Sequence, residues 1–281
     1  MDTDKVTRSG YLERLFSLEG KRAVVTGGAG VLPGVMAEAL AGAGASVCIW
    51  GRGTGHPVDA AVEEIAARVG TKDRIIGETV DTADAAAVEA ALDRTTSRMG
   101  LPDILVNGVG GNFGKSDFVD IDTDTFMKVL EINLLAGLVV PTKAFARRWI
   151  SEGVAGTIIN VASMTSYKAL SGVWAYNAAK SAVLNLTEGT AREFGPHRIR
   201  VNGIAPGFFV GHQNRALLIR EGTENELTPR GRAIIEHTPF GRFGEAAEIA
   251  GATVFLASDA AAGFVTGATI PVDGGYLTHN I

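Results

Sequence analysis

Short apolar runs without polar alternation are the feature that most constrains this chain. The stretches RAVVTG (22–27), SVCIW (46–50), RIIGETV (74–80), DILVNG (103–108), GTIINVAS (156–163), IRVNGIAP (199–206) and GATIPVDGG (267–275) read as strands. A strand with one face in water alternates apolar with polar residues. A continuous Val/Ile run needs cover on both faces, as parallel strands between two helical layers have. Amphipathic stretches near 34–43, 57–69, 83–99, 122–151, 173–194 and 245–258 read as the intervening helices. The alternation predicts βαβ units and an α/β fold, a doubly wound, mostly parallel seven-stranded sheet with helices on both faces.

A chain of 281 residues with no break in composition fits one domain over 1–281, with 1–19 as an N-terminal arm. Hydrophobic residues are 46% of the chain but aromatics only 7%, so the core has to be aliphatic. The formal net charge of -5 offers no general attraction for nucleic acid or an anionic membrane. The single cysteine, Cys48, excludes an intramolecular disulfide and fits a reducing compartment, and its setting reads as buried strand. No signal-peptide pattern and no run of ~18 apolar residues is evident, so a cytoplasmic protein is expected. His56, His197, His212, His237 and His279 lack metal-ligand spacing, and no metal is expected. The irregular segment 208–241 follows a strand and reads as a substrate lid.

Two local patterns carry chemistry. The first strand runs into TGGAGVLPGVMAEAL, where Gly27, Gly28, Gly30 and Gly34 cluster between a strand and a helix. Such a turn lets backbone approach a pyrophosphate at the positive end of the helix. Farther on, WAYNAAKSAV places Tyr176 and Lys180 four residues apart, on one face of a helix among small residues. A free phenol, with a pKa near 10, exchanges protons poorly at neutral pH. An ammonium ~4 Å away is worth about 4 kcal/mol at an effective dielectric of ~20, enough to bring that phenol down towards 7.

TGGAGVL, NGVG at 107–110, EINL with Asn133, Ser163 thirteen residues before Tyr176, Lys180 and APG at 205–207 fall in order along one chain. The set resembles the short-chain dehydrogenase/reductase family from Leu15 to Tyr276. NGVGGN, APGFFVGHQNRALLI and TPFGRFG are similar to its mannonate (fructuronate) oxidoreductase-like sugar-acid subgroup. The resemblance implies a Rossmann fold and hydride transfer between NAD(P) and a secondary alcohol or ketone. It implies Ser163, Tyr176, Lys180 and Asn133 as catalytic residues. Tyr176 exchanges the proton, Ser163 donates to the substrate oxygen, Lys180 also holds the nicotinamide ribose, and Asn133 holds a relay water. Cofactor contacts are implied at Gly27, Gly28, Gly30, Leu32, Arg52, Asp81, Asn107, Gly108, Tyr176, Lys180, Pro206, Gly207 and Phe209.

The chain also departs from the family pattern. Val31 and Pro33 stand where the second and third glycines of TGxxxGxG usually are, and Pro33 is expected to start the first helix. NNAG reads NGVG, and Gly211 replaces the threonine that often meets the carboxamide. At the end of the second strand Gly51–Arg52 supplies a cation and no carboxylate, which favours NADP, with NAD as the alternative. Asn112, His212 and Arg215 are the expected substrate contacts, with Gln213 and Asn214 beside them, although HQNR could instead cap a lid helix. A small sugar acid or polyol is the expected substrate, and Arg215 suits a carboxylate. A 3-oxoacyl thioester reductase and a non-catalytic dinucleotide sensor are the alternatives. A homodimer or homotetramer is expected from the family's habit.

Overall fold

The computed structural model describes residues 8–211, 215–223 and 226–279. Seven strands form one sheet: β1 (Arg22–Thr26), β2 (Ser46–Gly51), β3 (Ile75–Thr79), β4 (Ile104–Asn107), β5 (Gly156–Val161), β6 (Ile199–Pro206) and β7 (Thr269–Val272). Their order is β3-β2-β1-β4-β5-β6-β7, and every pairing is parallel. The expected sheet is therefore entirely rather than mostly parallel. The chain reverses direction across the sheet between β1 and β4, and a crevice opens at such a switch point beyond the strands' carboxyl ends.

Ten α-helices matter here: α1 (Arg8–Phe16), α2 (Val31–Gly42), α3 (Val58–Val69), α4 (Ala85–Met99), α5 (Thr123–Leu130), α6 (Val140–Glu152), α7 (Trp174–Phe194), α8 (Arg215–Leu218), α9 (Pro229–Glu236) and α10 (Ala250–Ala257). Alternate strand residues face the two layers, as a period of two requires. Ala23, Val25, Val47 and Ile49 join Met36, Leu40 and Ile65 on one face. Val24, Cys48, Trp50 and Leu105 join Leu92, Phe145 and Trp149 on the other. Cys48 is fully buried and burial pushes its thiol up to about 11, so it is an inert core residue as expected.

One segment differs from expectation, and the N-terminal arm proves to be anchored. The arm contains α1 and is tied down: Ser258 Oγ donates to the Leu15 carbonyl at 2.5 Å, and Leu18 is 1% exposed. The expected single helix over 122–151 is divided, because Glu131–Val139 between α5 and α6 is a π-helix. Val140 N–H reaches back five residues to the Leu135 carbonyl. The widened turn precedes Pro141, whose ring and missing N–H disfavour a regular α turn. By length and composition the continuous run Thr123–Glu152 is apolar enough to cross a membrane, but 56% of its most apolar window is buried in the protein. It serves as a core helix.

Candidate active site

Six of the loops singled out in the sequence leave the carboxyl ends of β1 to β6, so residues spread from Gly27 to Gly207 share one edge. At β1, Gly27 has φ +68°, a left-handed conformation that glycine adopts without strain. A Cβ on Gly28 would lie 2.7 Å from the Ile49 side chain. Gly30 is the N-cap of α2, and no side chain caps that helix. The N–H groups of Val31 and Leu32 in its first turn therefore face outward with the helix dipole behind them. This bare, positive helix end beside a glycine cradle fits a dinucleotide pyrophosphate. Leu32 contributes only backbone there, because its side chain packs on the core.

Pro33 does not start the helix as expected. The helix begins at Val31 and places Pro33 third, where its missing N–H still costs nothing. The proline ring faces Gly108: a Cβ there would lie 2.8 Å from Pro33 Cβ and Cγ, and 2.5 Å from the Thr26 carbonyl. Gly108 N–H donates to Thr26 Oγ1 at 3.0 Å, joining β1 to β4 at the switch point. The two departures from the family pattern thus occupy one space, the proline ring filling what a side chain at 108 would take.

The Asn107 side chain is turned into the sheet. Its Nδ2 donates to Asn160 Oδ1 at 2.8 Å and Thr142 Oγ1 at 2.9 Å, and Asn160 passes the chain on to Thr187. The side chain braces the sheet, so only backbone at this position is left for a cofactor. Arg52 is exposed beyond β2 and makes no side-chain hydrogen bond or ion pair among the described residues. Asp81, beyond β3, is exposed and accepts the Ala83 N–H at 3.0 Å through one oxygen, leaving the other open. Pro206 ends β6, Gly207 N–H is bonded to the Val272 carbonyl, and Phe209 is 7% exposed, bridged to Gly244.

Ser163, Tyr176 and Lys180 come together. Ser163 caps a short turn after β5, and its Oγ accepts the Thr165 N–H at 3.1 Å while bonding the Tyr176 phenol. Tyr176 and Lys180 lie one turn apart on α7, with Nζ 5.7 Å from the ring centroid. The electrostatics oppose the simple expectation. Burial raises the Tyr176 pKa above its ordinary value, and the Ser163 hydroxyl only partly offsets this. Burial lowers Lys180 to about 8. The physical reason is burial, which disfavours both charged forms; the ammonium, 4% exposed as a residue, donates to the Val161 carbonyl at 2.7 Å.

Asn133 sits in the π-helix, and its carboxamide is engaged by backbone. Nδ2 donates to the Gly111 carbonyl at 2.6 Å and the Val129 carbonyl at 2.8 Å, and Oδ1 accepts the Gly111 N–H at 3.0 Å. This clamp holds the 110–112 strip against Lys180, since a Cβ on Gly110 would lie 3.3 Å from Nζ. A side chain so engaged positions the 110–112 loop.

For the substrate candidates, Asn112 is exposed and donates to the Gly114 carbonyl. His212, Gln213 and Asn214 lie outside the described residues. Arg215 opens α8 and reaches the Thr223 carbonyl at 3.5 Å, a bond within the 208–241 segment itself. Leu218, Ile219 and Ile234 give that segment a small apolar core. No cluster able to hold a metal occurs among the described residues. Sequence reasoning missed Gly110 and Gly137 as spacing residues. A Cβ on Gly137 would lie 2.6 Å from the Val109 carbonyl, and only the three-dimensional approach of the π-helix reveals this.

Known proteins are similar to this chain over most of its length. A family model described as enoyl-(acyl carrier protein) reductase matches residues 34–277. The 2-dehydro-3-deoxy-D-gluconate 5-dehydrogenase of Escherichia coli is 36% identical over 264 residues, covering 94% of this chain and 98% of its own. A gluconate 5-dehydrogenase of Burkholderia cenocepacia, solved with NADP and tartrate, superposes with a TM-score of 0.83 at 34% identity, covering 96% of this chain and all of its own. A proposed D-mannonate oxidoreductase of Haemophilus influenzae, solved with NAD, gives a TM-score of 0.84 at 32% identity over 96% and 99% of the two chains. With the parallel sheet, the glycine turn and the Ser–Tyr–Lys group on one edge, these likenesses establish that the chain belongs to the short-chain dehydrogenase/reductase family and is an NAD(P)-dependent oxidoreductase.

Proposed function

We propose that this chain, working as one cytoplasmic domain that assembles into a dimer or tetramer, interconverts a secondary alcohol and a ketone on a small sugar acid, with NADP as the preferred coenzyme. The observation that carries the chemistry is the meeting of Ser163, Tyr176 and Lys180 beside an uncapped helix end and its glycine cradle. Gly27, Gly28 and Gly30, with the Val31 and Leu32 N–H groups, hold the pyrophosphate. Arg52 meets the 2′-phosphate, and Asp81 lies by the adenine. The backbone at Asn107, Gly108, Pro206, Gly207 and Phe209 lines the remainder. The bound coenzyme supplies or accepts the hydride.

Ser163 has one lone pair filled by the Thr165 N–H, so its proton is directed outward, towards the phenol at rest and the substrate oxygen during reaction. Tyr176, protonated at neutral pH because burial raises its pKa, delivers its proton to that oxygen in ketone reduction. Lys180 holds the nicotinamide ribose and supplies the positive charge that favours phenolate in the reverse direction. Asn133 acts by fixing Gly111, which keeps the loop over Lys180 in place. Asn112, with Arg215 and His212 from the lid, supplies donors for substrate hydroxyls.

The sugar-acid reading is supported by relatives named as gluconate and deoxygluconate dehydrogenases. Following nicotinamide absorbance with both coenzymes against aldonic acids, keto-aldonic acids, matched polyols and acetoacetyl thioesters tests it. Turnover of a sugar acid, faster with NADP(H), is expected. Turnover of thioesters alone would refute the substrate class, and no turnover of any compound would favour a coenzyme-binding sensor.

A further inference from the structure

A cavity of about 230 Å³ opens at the N-terminal end of α7, between the loop that follows β4 and the residues just before Tyr176. Its walls include Asn112, Lys115, Ser116, Asp120, Val173 and Trp174. Two of its walls continue along the chain to the reacting group. Ala175, the neighbour of Tyr176, lines it, and the strip that forms its other wall starts at Gly110 against Lys180. The wall is built rather than loose. Trp174 Nε1 donates to the Ser116 carbonyl at 3.0 Å, the Phe118 ring meets the indole edge-on at 5.5 Å, and Ser116 N–H reaches the Gly172 carbonyl at 3.4 Å. Gly111, one residue before Asn112, is clamped on both backbone groups by Asn133.

Two charged groups of this cavity have no structural task of their own, whereas Asn112 is bonded to the Gly114 carbonyl and Asp122 caps α5 through the Thr125 N–H. Lys115 is exposed and forms no ion pair or hydrogen bond among the described residues, and the Asp120 carboxylate likewise has no side-chain partner. The two do not pair with each other. One free ammonium and one free carboxylate, with the second carboxylate, Asp122, held by the Thr125 N–H, an amide and an aromatic wall complement a chain bearing one acid group and several hydroxyls. The volume is below the ~300–1,000 Å³ usual for drug-sized ligands, which suits a small metabolite.

We propose that this cavity is the subsite for the part of the substrate away from the reacting carbon, with Lys115 taking the carboxylate and Asp120 accepting from a hydroxyl. The inference rests on the sugar-acid reading and deepens it. Lys115 is then the cation that makes the enzyme prefer an acid over the corresponding polyol. Arg215, bonded to the Thr223 carbonyl within its own segment, is not.

The test is steady-state kinetics of the wild type, Lys115→Ala, Lys115→Arg and Arg215→Ala on a sugar acid and its matched polyol, with coenzyme affinity measured separately. Lys115→Ala should raise KM for the acid by about 10- to 100-fold, the equivalent of a charge-assisted hydrogen bond, with kcat nearly unchanged. KM for the polyol and the Kd for coenzyme should not move, and Lys115→Arg should restore the acid KM to within a few-fold. Lys115 is exposed, so loss of fold is not a concern, and far-ultraviolet circular dichroism checks it. An unchanged acid KM in Lys115→Ala, or equal rises for acid and polyol, would overturn the subsite. A selective rise in Arg215→Ala alone would place the carboxylate in the lid instead. A wild type that turns over no sugar acid would overturn the broader reading, and this inference with it.

Discussion

Lys180→Met should make the protein more stable at neutral pH while removing its activity. The side chain is fitted into the core near the catalytic group, and burial lowers its pKa from 10.5 to about 8. The folded state therefore binds this proton more weakly than the unfolded state. Where a lysine's folded pKa is depressed, stability is reduced below the folded pKa and recovers as pH rises towards the unfolded value. The penalty is roughly 3 kcal/mol at pH 7 and ~2 kcal/mol at pH 9, because each tenfold change in proton affinity is worth ~1.4 kcal/mol. Methionine keeps the aliphatic length and removes the charge. It also leaves the Val161 carbonyl without its 2.7 Å donor, which costs about 1–3 kcal/mol. The net gain at pH 7 is therefore small. The change between pH values is free of that cost, because the lost hydrogen bond is the same at both. Urea unfolding of wild type and variant at pH 7 and pH 9 measures it. The variant's relative stability should fall by about 1 kcal/mol between the two. A difference that does not move with pH would refute a depressed Lys180 and the electrostatic account built on it.

Other perturbations follow from the same geometry. Tyr176→Phe should keep the fold and coenzyme affinity while lowering turnover at least ~100-fold, as loss of a general acid does; steady-state kinetics with coenzyme titration checks both halves. Gly108→Ala drives a methyl into the Thr26 carbonyl and the Pro33 ring, so coenzyme affinity should drop and thermal stability fall by about 1–3 kcal/mol; wild-type values would disprove the shared space. Asn133→Ala frees both backbone groups of Gly111 and should reduce kcat more than coenzyme affinity, with faster hydrogen exchange in the 110–112 strip. Arg52→Ala should weaken NADPH by about 1–3 kcal/mol and leave NADH nearly unaffected, as read by isothermal titration.

Much of the architecture was legible because its causes are local. Val/Ile runs need cover on both faces whatever surrounds them, and their alternation with amphipathic stretches already implied the parallel sheet and its helical layers. The glycine turn after β1 and the helical spacing of Tyr176 and Lys180 were likewise visible within a few residues. What the tertiary structure decided depends on neighbours distant in sequence. Asn107 lies in a motif associated with the cofactor, yet Asn160 and Thr142, 53 and 35 residues away, turn its side chain into the sheet. Pro33 and Gly108 look like separate departures until β1 and β4 pair and bring them into contact. The π-helix that sets Asn133 against Gly111 leaves no mark in the hydrophobic pattern. The Tyr176 pKa was expected to fall from proximity to Lys180. Burial raises it, because a desolvation penalty exists only once the chain has closed around the group.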